Sequence, residues 1–280
     1  MQIKYSCSYW GNDHFTPKEF IENVYESGYN GVELFLQPPD KLTNDFIDAI
    51  TAIRLKNPDF YLIAMQIVFP VVESAESYIQ KMEQRLESIA ELNPLFINSH
   101  TGKDHFSFDD NCRVIEALLN FSKKRGVRIL HETHRGRFSF HAASLLPYLE
   151  KFPELELVGD FSHFCTVSES MLEDQEEIIH KIIPHVGHVH ARVGFEQGPQ
   201  VNNPAAPEWQ PHLQRFMGWW QQIAEYHHKK GTSLLTFTPE FGPVPYMPVE
   251  PYTQKPLSNV WDNNIFMLHQ LKEKFTRSFP

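Results

Sequence analysis

The sequence predicts a single (β/α)₈ barrel spanning residues 1–280, and three observations predict it. Short apolar runs alternate with amphipathic stretches from end to end. No composition break or low-complexity linker divides the chain. Four apolar runs in its second half turn abruptly polar: GVRILHETH (126–134), LELVGDFSH (155–163), GHVHARVG (187–194) and SLLTFTPEF (233–241). The polar candidates at their ends, Glu132, Asp160, His190 and Glu240, are 28, 30 and 50 residues apart. A βα unit takes roughly thirty residues. The spacing therefore sets one carboxylate or imidazole at the C-terminal end of each successive strand, where barrels of this class build their active sites.

The elements follow in order. IKYSCSY (3–9) reads as the first strand. The helix after it opens with Thr16 as N-cap, Pro17 at its first position and Glu19 three residues past the cap, and Gly28 stops it. GVELFL (31–36) is the second strand and 42–56 the second helix. DFYLIAMQIVF (59–69) holds the third strand, followed by a long amphipathic helix over about 73–92. LFINSH (95–100) is the fourth strand, and the helix Asp109 to Arg125 ends at Gly126. The four segments above are strands five to eight, with helices expected near 141–151, 171–183, 212–230 and 260–274. Two loops stand out. Residues 194–211 carry four prolines and two glycines, and 239–256 carry six prolines around Tyr246 and Tyr252. Both leave the C-terminal ends of strands. The first is expected to cover the site, with Trp209 or Glu208 reaching toward substrate.

Composition narrows the function. At 280 residues, 41% of them apolar, the chain can bury one large core. Its formal net charge is −10, from 25 basic and 35 acidic residues, which disfavours nucleic acid and anionic membrane as partners. The longest apolar stretch, Phe60 to Val72, is broken by Gln66 and Pro70 and is too short to span a bilayer. Cys7, Cys112 and Cys165 are few, odd in number and scattered, which suits free thiols. With no basic-then-apolar leader, a cytoplasmic setting is expected. A homo-oligomer is compatible with all of this.

Strand alternation supports convergence of the four candidates. Glu132 shares a face with Leu130 and His134, His190 with His188 and Arg192, and Glu240 with Thr236 and Thr238. A lone glutamate at a strand end is ordinarily solvated, and a lone histidine there ordinarily satisfies a carbonyl. Four such residues on four consecutive strands argue otherwise. Three carboxylates and an imidazole at one point would repel one another unless a divalent cation joined them. This hard donor set suits one Mn²⁺, Mg²⁺, Co²⁺ or Zn²⁺ ion. Other features are weaker. Trp10, Glu33, Gln66 and His100 fall near the ends of strands one to four and are candidates to line a pocket. His227 and His228 read as solvated helix residues; Arg135 and Arg137 follow strand five and are candidates to bind an anion, with surface placement preferred. There is no P-loop, no GxGxxG after a strand and no GxSxG.

HETH, GDFSH, HVHARVG and TPEFGP resemble the metal motifs of the xylose isomerase-like barrel superfamily, which includes ketose 3-epimerases, hydroxypyruvate isomerases, inosose dehydratases and endonuclease IV. The likeness covers most of the chain and is specific in strands five to eight. It implies metal ligation by Glu132, Asp160, His190 and Glu240. It further implies that Glu132 and Glu240 exchange protons with a carbohydrate substrate through an enediolate, and that His163 contacts that substrate. Arg192, two residues past His190, joins His163, His134, His100 and Trp209 as substrate-binding candidates. The resemblance thus implies a metal-dependent sugar or sugar-phosphate isomerase or epimerase. Dehydration on the same scaffold remains an alternative. Endonuclease IV-like hydrolysis is a further one, but that family needs three zinc ions and more histidines. Here strand three offers Met65 and Gln66, and the 194–211 loop has neither Asp nor His. A non-enzymatic sugar- or metal-binding barrel is a third.

Overall fold

A computed structural model describes residues 1–68 and 74–278. Eight parallel strands close into a barrel in chain order. They are β1 (Gln2–Ser8), β2 (Gly31–Leu34), β3 (Tyr61–Gln66), β4 (Phe96–Ser99), β5 (Ile129–Glu132), β6 (Leu157–Gly159), β7 (Val186–His190) and β8 (Leu234–Thr238). β1 pairs with both β2 and β8, so the sheet has no free edge. Around it lie α1 (Pro17–Glu26), α2 (Lys41–Arg54), α3 (Ala75–Ala90), α4 (Phe108–Arg125), α5 (Ala142–Lys151), α6 (Phe161–Ser168), α7 (Glu176–Ile182), α8 (Gln210–Lys230) and α9 (Val260–Ser278). The single (β/α)₈ barrel expected from the sequence is the observed fold.

Local chemistry explains the boundaries. Thr16 and Glu19 form the expected capping box at α1. Ser107 caps α4, and Gly126, at φ +64°, closes it in the left-handed region where a Cβ would be strained. The third strand stops at Gln66, short of the expected 69, and Phe69 lies outside the described residues. So does residue 73, where the following helix was expected to begin. Among the described residues that helix starts after Ser74, which caps it. α6 was not expected. Asp160 both ends β6 and caps this helix, accepting the Ser162 N–H at 3.1 Å, so no linker separates strand from helix. His227 is another correction. It is buried, with Nε2 2.6 Å from the Val186 carbonyl oxygen, because it lies on the barrel-facing side of α8.

The barrel interior is layered. Its lower part is an apolar cluster of Tyr61, Ile63, Phe96, Leu130 and Val158. Above it the inward positions turn polar. His188 bonds Thr236 at 2.6 Å and Thr238 at 3.0 Å, and Thr238 bonds Ser6 at 2.8 Å. Every one of these is buried, so the polar groups satisfy one another. No helix among the described residues is long and apolar enough to cross a membrane. All three cysteines are free and buried.

His131, next in sequence to Glu132 but pointing outward, yields a stability prediction. It is buried, with Nδ1 2.8 Å from the Thr101 hydroxyl, and burial pushes its pKa down to about 4. An unfolded histidine, at about 6.5, takes up a proton before the folded one does. Its contribution is therefore present above pH 6.5 and is lost as the pH falls from there toward 4, by about 3 kcal/mol in all. Urea unfolding of His131→Gln should show a shallower loss of stability over that window than the parent. Parallel curves would show that His131 does not set the slope.

Candidate metal centre and active site

The polar mouth is built from the ends of the strands. β5 ends in Glu132, β6 runs into Asp160, β7 ends in His190, and Glu240 lies two residues past β8. Ligand atoms of these four buried residues all lie within 4.8 Å of one another, so the expected quartet converges. His190 is its pivot. Its Nε2 sits 3.0 Å from both oxygens of Glu33, on β2. Its Nδ1 faces the cluster, 2.9 Å from Glu240 Oε2 and 3.8 Å from Glu132 Oε1. His190 Nδ1 and Glu240 Oε2 are out of hydrogen-bonding alignment, and neither has a hydrogen-bond partner among the described residues. A ring nitrogen and a carboxylate oxygen buried without a hydrogen bond, in a ring of carboxylates, are what a shared cation would satisfy once the ring nitrogen gives up its proton. The residues present fit a hard divalent ion, held by Glu132, Asp160, His190 Nδ1 and Glu240. Glu33 would then accept from Nε2–H, the carboxylate–histidine arrangement that fixes a metal-binding tautomer.

Two side chains supply positive charge inside the cluster. The His190 pKa is well raised, because the charges of Glu240, Glu33 and Glu132 overcome the effect of burial. The Arg192 guanidinium is buried and bonds Asp160 Oδ2 through Nη2, the same nitrogen lying 3.5 Å from Glu240 Oε2. The other Asp160 oxygen accepts from the Ser162 hydroxyl at 2.5 Å. Arg192 therefore holds a metal-ligand candidate as well as facing the cavity.

The two glutamates differ. Burial tends to raise the Glu132 pKa, but the contacts with His100 and His190 outweigh it and the carboxyl is held well below its ordinary value. Asn98 Nδ2 donates to Glu132 Oε2 and to Glu33 Oε1, each at 2.8 Å. His100 Nε2 lies 2.9 Å from the same Glu132 oxygen. At Glu240 burial wins over His190 and Arg192, and the pKa is raised. Opposite displacements of paired carboxyls are how acid and base roles divide.

His134 and His163 both have pKa values well below the ordinary one, burial being the first cause, so both are neutral. Their rings lie 4.0 Å apart. His163 Nε2 accepts from Arg192 at 3.1 Å, which leaves its proton on a buried, unpartnered Nδ1. Tyr246 caps this corner. Its hydroxyl is 3.3 Å from His134 Nε2, its ring lies under Arg192 at 4.7 Å, and Trp10 packs edge-on at 4.9 Å. Ligand atoms of His100, Glu132 and His134 also gather within 4.8 Å, on the other side of Glu132.

A cavity of about 680 Å³ opens on this cluster, with Tyr9, Trp10, Phe35 and Met65 forming its apolar wall opposite Glu132, Glu240 and Arg192. His100 and His134 line it as expected. Trp209 does not. It packs on Phe195 at 5.2 Å and donates its indole N–H to Asn202 at 2.7 Å, and Glu208 is exposed. No residue of 194–211 lines the cavity, so the expected cover is supplied instead by Pro243 and Tyr246 of the loop after β8. The 194–211 loop braces that one: Gln200 is bonded both ways to the backbone of Gly242, at 2.7 and 3.0 Å. The proline-rich composition identified both loops but not which of them reaches the cavity. Arg137 is a further correction, being buried and cavity-lining instead of on the surface. Glu33 was underrated, and Asn98 was missed. A charge flanked by Val32 and Leu34 in an apolar strand was the available signal for Glu33.

A closed eight-stranded barrel with ligand-type side chains gathered at its C-terminal mouth defines a (β/α)₈ barrel of the kind that carries enzyme sites. Residues 21–200 match the family model of the xylose isomerase-like TIM barrel, and the chain belongs to that family. Similar solved structures include a probable 3-DHS dehydratase, AsbF, from Bacillus anthracis (16% identity, 96% of this chain and 98% of that one, TM-score 0.63). Endonuclease IV from Thermus thermophilus is similar at 16% identity over 96% and 99% of the two chains, TM-score 0.59. The 3-keto-D-glucoside 4-epimerase YcjR from E. coli is similar at 12% identity over 97% and 100%, TM-score 0.58. At these identities the likeness carries the fold alone. No curated protein sequence matches the chain.

The Glu33–His190 contact can be tested directly. Glu33→Gln replaces the acceptor behind His190 with an amide, and should weaken Mn²⁺ binding by roughly 10- to 100-fold in calorimetric titration. Unchanged affinity would show that His190 is not a ligand or that Glu33 does not orient it.

Proposed function

We propose that this protein is a divalent-metal-dependent isomerase or epimerase of a sugar or sugar phosphate, working by proton transfer between Glu132 and Glu240. The observation that carries the reading is the pairing of these two carboxyls across His190, with displaced and opposite proton affinities, at the floor of one cavity. A bound Mn²⁺, Mg²⁺, Co²⁺ or Zn²⁺ would polarise a substrate carbonyl and acidify the neighbouring C–H. Glu132, ionised, removes that proton through Oε1, the oxygen that Asn98 and His100 leave free. Glu240, which holds a proton more readily, returns one to the enediolate carbon from the other side. His163 Nδ1–H and neutral His134 offer a donor and an acceptor to substrate hydroxyls. Arg192 offers its unpartnered Nη1. The aromatic wall of Tyr9, Trp10 and Phe35 excludes water that would protonate the enediolate on the wrong face.

A dehydratase would use the same residues and differ only in losing a hydroxyl from the enediolate. Endonuclease IV-like hydrolysis draws less support, since Met65 and Gln66 occupy strand three and the net charge is −10. The partner implied is a small carbohydrate, and the free, buried cysteines suit a cytoplasmic setting.

Glu240→Gln is the decisive variant. Its amide oxygen still coordinates weakly but accepts no proton at neutral pH. On a ketose or ketose phosphate that the parent exchanges in D₂O, this variant should retain detectable metal while losing solvent deuterium incorporation by at least about 100-fold. Near-parental exchange would remove Glu240 from the acid–base role. Release of a dehydrated product by the parent enzyme would replace isomerisation with dehydration.

A further inference from the structure

Arg137 is a buried charge in this cavity with no counterpart of opposite sign among the described residues. It stands in the loop between β5 and α5, five residues past Glu132, is 8% exposed, and lines the cavity. Its only side-chain hydrogen bond among the described residues runs from Nη2 to His100 Nδ1, at 3.3 Å. Its Nε is buried without a partner. No carboxylate among the described residues lies within ion-pairing distance of it, whereas Arg192 has both Asp160 and Glu240 close by. A cationic neighbour, Lys103, makes matters worse: burial and then the charge of Arg137 push the Lys103 pKa down. An arginine cannot shed its proton, so a buried one with no carboxylate beside it keeps much of its desolvation cost.

The hydrogen bond to His100 does not explain that cost. A neutral donor would orient the ring equally well. As matters stand, Arg137 donates to His100 Nδ1, which puts the imidazole proton on Nε2 and directs it to Glu132. Arg137 and Glu132 are thus one imidazole apart along the same cavity wall. A substrate whose reacting carbon lies at Glu132 has its distal end within reach of the guanidinium.

We infer that Arg137 binds an oxyanionic substituent of the substrate, so that the reaction acts on an acidic carbohydrate, either a sugar acid or a phosphate ester. This narrows the substrate class of the reading above and rests on it for the position of the reacting carbon. The fork of a guanidinium meets a carboxylate or a phosphate with two parallel hydrogen bonds, and that geometry gives Arg137 both a partner and a purpose.

The test is thermal unfolding of the purified protein in acetate and in inorganic phosphate, each against chloride of equal ionic strength. The wild type should gain roughly 2–4 °C in at least one of the two at tens of millimolar. Arg137→Met should gain nothing, and Arg137→Lys part of it. A larger effect of acetate assigns a carboxylate, and of phosphate a phosphate ester. In the chloride reference buffer Arg137→Met should melt no lower than the wild type, because it removes a charge with no carboxylate beside it. Equal gains in wild type and Arg137→Met, or no anion-specific gain in the wild type, would overturn the proposal. If Arg137→Met fails to fold, Arg137→Gln takes its place, and the wild-type arm stands regardless. Mn²⁺ affinity should be unchanged in Arg137→Gln, whose amide keeps a neutral donor for His100. Loss of the anion effect with metal binding intact overturns only the anion site, and absence of metal binding with the anion effect intact overturns only the metal reading.

Discussion

Four carboxylates buried together at the barrel mouth, those of Glu33, Glu132, Asp160 and Glu240, are the constraint on which the rest of the site depends. Each is too costly to keep ionised without compensation. His190 lies between Glu33 on one side and Glu240 on the other, and Arg192 is pinned to Asp160. The amide of Asn98 bridges Glu33 to Glu132. The threonines around His188 sit directly beneath this network and hold that ring in place. The apolar cluster from Tyr61 to Val158 closes the floor and keeps water from entering from below.

That arrangement has a chemical corollary. A site that must neutralise four buried charges can do so with protons, with arginine or with a metal ion, and these alternatives occupy overlapping space. The imidazolium at His190 and the guanidinium on Asp160 hold the carboxylates together as they stand. Exchanging the Nδ1 proton of His190 for a divalent cation would add one net positive charge to the carboxylate cluster while creating a Lewis acid at the mouth. Metal uptake should accordingly release protons and depend on pH.

Much of the centre was legible in the sequence because βα periodicity ties sequence spacing to spatial position. Glu132, Asp160, His190 and Glu240 each follow an apolar strand, and the closure of the barrel does the rest. What the sequence concealed depends on packing. Arg137 follows a glycine in a loop, where a charge defaults to solvent, and only the seating of Phe138 and Ser139 draws it inward. Trp209 looked misplaced in a polar loop, but Phe195 and Asn202 within that loop satisfy both its ring and its N–H. α6 was hidden because Asp160 serves two ends at once, the last residue after a strand and the first cap of a helix.

The pairing of Gln200 with Gly242 links two loops that share no secondary structure. A side-chain amide here imitates one rung of a β-ladder, giving and taking one bond from the Gly242 backbone. No larger residue fits at 242, where an added Cβ would meet the Trp10 ring at 2.1 Å. Pocket shape is therefore inherited from a segment that does not line the cavity. Insertions or deletions within 194–211 would shift Gly242, and with it Trp10 and Tyr246, leaving Glu132 on β5 and His190 on β7 in place. In such a barrel selectivity can drift through changes in loop length, with no substitution among the residues that meet the substrate.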